Sequence, residues 1–586
     1  MLLRCLKNII NYSVAELRYK TNIDTQEQYL YYEIPTCEKS KGMPEYKFNY
    51  NTATTLPQKY DLGDTDSWGY YNGKNIKLSD APNIDIEYPQ YLGTMAEVLT
   101  ELEYPTGGKT LFEYELNSYS KILSKDWTKL ENITGLAGGL RISKIINKYA
   151  NNSVESIKKY YYSEDKKYPE KSSGIANREI NIKESYNQGE GYVHLYSKSG
   201  ISTPITLQNS PYVGYSTVIE ETMDGNENSL GYTKYKFTNY LQDKLGNKHF
   251  DELPSMFFNN KIVGGSIPYT SNSEERGKLL SKEIYDNTDR LVSKTEYKYN
   301  RIKEQSMLTA TQRCLIICSD PFYGHYVSNM GWITNTYLYS YLPIEEKQTD
   351  YLHSDSIITI KTMNYDDYKQ LTNTTQQTGS MPIRITTQKY PYNYTNYTWM
   401  KDLHILSPVI KTTIYENNYS KTEKYKYSKI NDIPYISNCT TIYNEDKVKE
   451  NYIVNKVDDY GNPIEIESNG MKTIFIWGNY GQTLMAKIEN ISYEIAKYQL
   501  GCINDLYINI DYLIANRHKL PSTQIYIYKY DNALRLISIT NPSGMTEYYA
   551  YDNLDRLRKE YYLDNTEGQN VQRTKKKYGY EYNNGK

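Results

Sequence analysis

The chain has 586 residues, 39% of them hydrophobic and 24% charged, with a formal net charge of −2 and a mean hydropathy of −0.75. This length suits several domains or one large repeat array. No apolar window is long enough for a transmembrane helix, and the charge balance offers nucleic acid no basic surface.

One count stands out, 68 Tyr against 8 Phe. An AT-rich coding bias would raise both, so the imbalance points to a structural cause. Tyrosine suits strands that bury a ring and keep a hydroxyl wet, and this favours a thin sheet with solvent on at least one side. The six cysteines, at 5, 37, 314, 318, 439 and 502, are too sparse for a disulfide framework. The opening MLLRCLKNII has charges interrupting its apolar residues and no small-residue cleavage site, so no signal peptide is visible.

Residues 1–45 are weakly patterned. From 46 to 270, YKFNYNTATTLPQKYD, DSWGYYNGKN, EYPTGGKTLFEYEL, GLAGGLRISKIINKY and SIKKYYYSE alternate aromatic and polar residues around Gly and Asn turns, the pattern of a β-rich domain. TGGKT at Thr106 lacks the first glycine of a phosphate loop, since Glu103 stands there, and LFEYEL alternates like a strand where a helix would begin; it reads as a turn. Gly135, Gly138 and Gly139 read as a glycine-rich hairpin loop and not as an anion cradle.

From 271 to 490 a degenerate strand array is expected. It includes YDNTDRL, with Tyr285, Asp286, Arg290 and Leu291, and a worn copy, YDDYKQL at Tyr365, that lacks the Arg. Cys314, Cys318 and His325 form the one compact soft-ligand cluster. Leu315, Ile316 and Ile317 between the cysteines favour a strand, over which four steps span about 13 Å, too far for a mutual disulfide and awkward for one zinc ion. Buried apolar thiols are the expectation, and neither a metal nor a cofactor is assigned. No HExxH, HxH or GxSxG spacing occurs. Asp458 to Asn490 reads as a diverged repeat followed by IWGNYGQ.

Residues 491–520 break the pattern. Ile495, Leu500, Ile503, Leu506, Ile510 and Leu513 fall at roughly helical spacing and Pro521 closes the stretch, so one or two short helices over 492–519, interrupted near Gly501, should pack on the sheet. The last segment, 521–586, holds the clearest motif: YDNALRL recurs as YDNLDRL 21 residues on. The first copy has Tyr530, Asp531, Arg535 and Leu536, the second Tyr551, Asp552, Arg556 and Leu557. Between them Asn541-Pro542-Ser543-Gly544 fits a type I turn. Each copy is hairpin-sized and cannot bury its apolar face without neighbours.

The pattern YDxxxRL, a PxG turn, then YxYDxxxRL resembles the YD repeat of the rearrangement-hotspot (RHS) family. The segments of 46–270 and IWGNYGQ are similar to relatives of the Bacteroidota type. The resemblance implies an all-β array of hairpins forming a curved or spiralling sheet, a partial RHS-like shell, on a chain lacking its N-terminal export region. It also implies a secreted or cell-surface location. Nothing like a separate toxin domain follows the repeats, and self-cleavage at an Asp-Pro-rich end motif is not expected, because the nearest match, Asn541-Pro542, is followed by a further repeat.

Asp286, Asp531 and Asp552 each precede an Arg by four residues, so turn capping and charge pairing account for them, and no catalytic residue is assigned. Three functions are weighed. The first is a noncatalytic scaffold in contact, adhesion or carbohydrate binding, with cell-surface glycans or another protein as partner and Trp68, Trp127, Trp332, Trp399 and Trp477 as stacking candidates against a buried role. The second is the shell of a toxin-delivery system, and the third a carbohydrate-active enzyme, which needs two carboxylates about 5–10 Å apart. Sequons at Asn393 and Asn396 say little.

Overall fold

The computed structural model describes residues 16–21, 28–33, 46–56, 66, 68–73, 88–104, 107–124, 129–176, 183–188, 191–196, 213–240, 249–252, 255–258, 270–320, 324–352, 355–500, 510–531, 534–551, 556–566 and 569–578. The chain is mostly β, and 25 of its strands make one antiparallel sheet. The ladder begins at Lys47–Tyr50, which pairs with Leu99–Glu103, and passes through Lys109–Tyr119, Gly135–Lys148 and Val154–Tyr161 to Thr217–Asp224 and Ser229–Phe237. From Leu279–Tyr285 onward each strand pairs with the next in sequence, ending at Gln569–Lys577. Among the described residues the two end strands have one partner each, so the sheet is open.

Local chemistry explains the ladder. Thr, Tyr, Ile and Lys fill the strands, and β-branched or aromatic side chains fit a pleated, half-buried surface. Two-residue connections carry Asn431-Asp432 (φ 47° and 59°) and Asn469-Gly470 (φ 51° and 75°), the left-handed pairs whose twist matches flanking antiparallel strands. The strands Leu291–Asp320 and Gly324–Leu352 form a far longer hairpin, of 30 and 29 residues, so at about 3.3 Å per residue it reaches well past its neighbours.

The largest apolar cluster sits where helices cover the sheet. Tyr493–Leu500 and Ile510–Asn516 bury Tyr493, Ala496, Leu500, Ile510 and Leu513 against Ile474, Ile476, Ala486, Ile488, Ile525 and Ile527. Leu500 and Leu513 are each 0% exposed, so each contributes about 1.5–3 kcal/mol of apolar burial. Ile495, expected on the buried face, is 52% exposed; the covered face runs through 493, 496 and 500, one residue out of phase. Ile503 and Leu506 lie outside the described residues.

Gly135, Gly138 and Gly139 are not in a hairpin loop but inside the strand Gly135–Lys148. The reason is close packing from a distant segment. A Cβ on Gly138 would stand 2.6 Å from the Trp68 Cβ and 2.7 Å from Asp66 Oδ2, and one on Gly139 would stand 2.9 Å from the Tyr70 ring. Where TGGKT is expected to turn, the described Gly107 donates its N–H to the Tyr104 carbonyl at 2.8 Å and takes φ +84°.

Candidate functional site

The YD motif is a turn with a fixed hydrogen-bond pattern. At Asp286 the backbone N–H donates to the Arg290 carbonyl (3.0 Å), the Asp289 N–H donates back to the Asp286 carbonyl (3.2 Å), and Asp289 takes φ +61°. This is a type I turn followed by a left-handed residue, which forms a bulge. The Asp286 carboxylate accepts the N–H of Thr288 (2.9 Å) and of Arg290 (3.0 Å), and Arg290 Nε donates to its other oxygen at 3.0 Å. Hydrogen bonds from the Thr288 side chain and the Arg290 backbone hold its pKa down at about 2.

Asp531 repeats the design, accepting the Arg535 N–H at 3.0 Å and Arg535 Nε at 2.7 Å, with Leu534 at φ +60°. The same backbone pattern recurs at Asp66, Tyr104, Tyr149, Asp224, Asp366, Asp458 and Asn541. In each the fourth residue is left-handed: Gly69, Gly107, Asn152, Glu227, Lys369, Gly461 and Gly544. Most of these copies carry no YD spelling; at Asp66, Asp458 and Asn541 a short acceptor side chain three residues before a Gly was the available signal. At Asn541 the side chain accepts the Met545 N–H (3.0 Å), and the Pro542 carbonyl accepts Arg517 Nη2 (2.6 Å). Asp552 lies outside the described residues; Tyr551 pairs with Leu557, and Arg556 precedes that strand.

The tyrosines lock one hairpin to the next. Tyr551 donates to the Leu536 carbonyl (2.8 Å), and Leu536 pairs with Tyr530. Tyr530 in turn donates to Leu484 (3.1 Å), which pairs with Trp477, and Trp477 Nε1 donates to Pro463 (2.8 Å), which pairs with Val457. A second run goes from Tyr390 to Leu371 (2.7 Å), from Tyr365 to Pro343 (2.9 Å) and from Tyr299 to Leu279 (3.0 Å). Leu371 pairs with Tyr365, Pro343 with Tyr299 and Leu279 with Phe237. A third goes from Tyr162 to Ile142 (2.8 Å) and from Tyr114 to Leu99 (2.8 Å); Ile142 pairs with Tyr114 and Leu99 with Tyr50.

Every one of these pairings sits at a register shift. A bulge disrupts the ladder locally, and the next hairpin supplies a donor there, a Tyr hydroxyl in seven links and the Trp477 indole N–H in the eighth. The expected wet hydroxyl is therefore not what these positions show. Burial raises the pKa of Tyr365, Tyr530 and Tyr551 and keeps the donor protonated. Arg535 adds a second link, its guanidinium 5.2 Å from the Tyr551 ring centre. Tyr285 departs from the relay, stacking on Tyr232 at 4.5 Å and donating to Glu283 at 2.9 Å.

Among the described residues, a buried charge cluster lies at the base of the long hairpin. His249 Nδ1 and Glu275 Oε2 are 2.5 Å apart, and Arg301 Nε bonds the other Glu275 oxygen. Arg276 grips Asp251 through both nitrogens at 2.9 and 3.0 Å, and His249 packs edge-on to Tyr341 at 5.8 Å. Burial pushes the Glu275 pKa up, but hydrogen bonds from His249 and Arg301 outweigh it and hold the carboxyl below its ordinary range. Both oxygens of each carboxylate are engaged, those of Glu275 by His249 and Arg301 and those of Asp251 by Arg276, an arrangement that fastens 249–276 to the hairpin.

The remaining candidates are dispersed. Trp68 packs on Ala137, Ala176 and Val213, and Trp399 packs with Tyr397, Met400 and Ile410. Trp127 and the side chains of Trp332, Cys314, Cys318 and His325 lie outside the described residues. Among the described residues no group of three or more His, Cys, Asp or Glu is placed to hold a metal ion, and no helix is long and apolar enough to cross a membrane. Asn393 accepts the Tyr390 N–H at 2.8 Å.

Fold and site together define an open, repeat-built antiparallel β-sheet protein. No family model and no curated protein matches the chain. Among solved structures it is similar to TcdB2-TccC3-TEV (10% identity, TM-score 0.42) and to TcdB2-TccC3 (10% identity, TM-score 0.41), each match covering 82% of this chain and 25% of the other. It also matches the Tc holotoxin pore of Photorhabdus luminescens at 10% identity and TM-score 0.20, with the same coverage. The chain thus spans a quarter of the length of the solved chains it matches.

Proposed function

We propose that this chain is a noncatalytic β scaffold of the YD-repeat kind that forms a segment of wall in an exported, encapsulating shell, with another protein as the partner it encloses or adjoins. The supporting observation is the ladder of 25 strands whose successive hairpins are tied by side-chain donors at their bulges. Such a construction extends a single layer sideways and does not deepen a core. The carboxylates of Asp286 and Asp531 are engaged by their own turns, and Trp68, Trp399 and Trp477 by packing or relay, so adhesion to sugars draws no support from them.

Co-expression with the polypeptide encoded next to it tests the reading. Protease should degrade that polypeptide far more slowly in the presence of the full chain than alone. Equal degradation rates, together with selective binding on a glycan array, would replace the wall reading with the adhesive one.

A further inference from the structure

The relay follows one register rule. In each of its eight links, those of Tyr114, Tyr162, Tyr299, Tyr365, Tyr390, Trp477, Tyr530 and Tyr551, the acceptor carbonyl belongs to the residue opposite the position just before the donor. Leu99 stands opposite Glu113 when the Glu101–Leu111 register is continued, and Pro343 stands opposite Asn364 from Glu345–Thr362. That acceptor also pairs, on its other side, with an aromatic or apolar residue of the preceding strand that stands at a register shift. Two runs end on residues with no donor, Val457 and Phe237. The third ends on Tyr50, which has a hydroxyl, is 53% exposed, and stands on the terminal strand with no acceptor among the described residues.

Upstream, Glu16–Thr21 and Gln28–Glu33 form a two-stranded sheet in which Leu30 pairs with Tyr19. This repeats the relay's unit in the right chain direction: an aromatic late in one strand, then a Leu early in the return strand, as in Leu99 with Tyr50 and Leu371 with Tyr365. It lacks only the register shift. A lone hairpin is marginally stable and needs a third strand. Residues 33–46 can span about 45 Å, ample to lay Gln28–Glu33 beside Lys47–Tyr50.

We infer that the hairpin Glu16–Glu33 docks on the free edge of Lys47–Tyr50, with Leu30 opposite Asn49 and the Leu30 carbonyl accepting the Tyr50 hydroxyl. Tyr31 then falls opposite Phe48 and Tyr32 opposite Lys47. Phe48, 54% exposed at the bare edge, gains a neighbour. The new outermost strand carries Glu16, Arg18 and Lys20 at alternate positions, the charged edge that discourages pairing with other chains. The docked hairpin thus caps an end that would otherwise accept a second copy.

Cysteine cross-linking in the full chain tests this, with peptide mass spectrometry to separate the new pairs from the six native cysteines. Leu30→Cys with Asn49→Cys should oxidise within one chain in about tenfold higher yield than Tyr32→Cys with Asn49→Cys, which is displaced by two residues and too wide for a disulfide. Equal yields, or bridges only between chains, would overturn the docking, the latter assigning the edge to a second copy. Hydrogen exchange on the unmodified chain is an independent readout. Amides of 28–33 should be protected, and Tyr50→Phe should speed their exchange about fivefold, the loss of one hydrogen bond. Random-coil exchange of 28–33 in the unmodified chain contradicts the proposal.

Discussion

Replacing Tyr365 by Phe isolates the relay's contribution. The substitution removes the donor 2.9 Å from the Pro343 carbonyl and leaves the ring in place. A net hydrogen bond contributes about 1 kcal/mol, and a half-buried carbonyl left without its donor costs about 1 kcal/mol more. A loss of about 1–2 kcal/mol corresponds to a factor of about 5–30 in local opening. Hydrogen exchange read on the strands around 343 and 365 is the suitable assay, because a chain of this size need not unfold in two states. Tyr498, 87% exposed, supplies the control. Tyr299 and Tyr390 act at the adjoining links, and because Pro343 pairs with Tyr299 and Leu371 with Tyr365, their replacement by Phe should couple with that of Tyr365. If Tyr365→Phe leaves local exchange where Tyr498→Phe leaves it, the hydroxyl carries no load and the relay is incidental.

Other perturbations probe the turns and the clamp. At Asp286 the folded pKa is depressed, to about 2, below the about 3.9 of an unfolded Asp. Its contribution is therefore full above about pH 4 and lost as pH falls through 2; an NMR titration placing this carboxyl near 3.9 would refute the cap. Leu534→Gly relieves a left-handed leucine and should stabilise the C-terminal hairpins by up to about 1 kcal/mol in thermal or protease challenge. Glu275→Gln leaves Arg301 and His249 facing a neutral group and should loosen the base of the long hairpin by about 3–5 kcal/mol, seen as faster exchange near Tyr341. Gly138→Ala drives a methyl into Trp68 and Asp66 and should cost about 1–3 kcal/mol, exposing 68–73 to protease.

The sequence displayed the repeats it spelled in full and hid those built from other letters. Tyr285 and Tyr530 announce their turns, while Asp224 and Asp66 make the same hydrogen bonds with no Tyr before them. The excess of Tyr over Phe pointed to a structural cause, but the acceptors lie on other hairpins, 46 residues back in the Tyr530 to Leu484 bond, and spacing cannot reveal them. Gly138 and Gly139 looked like a loop for the same reason: what excludes their side chains is Trp68 and Tyr70, distant in sequence. The helices Tyr493–Leu500 and Ile510–Asn516 were legible from periodicity, yet their phase depended on where Ile474 and Ile488 stand on the sheet.

Small-angle X-ray scattering on the full chain tests the central claim most directly. A single open layer of 25 strands at about 4.8 Å spacing has a contour of about 115 Å and a thickness near 10 Å. The account predicts a radius of gyration above about 30 Å with a sheet-like scattering profile. A value near 25 Å, that of a compact domain of this length, would contradict it.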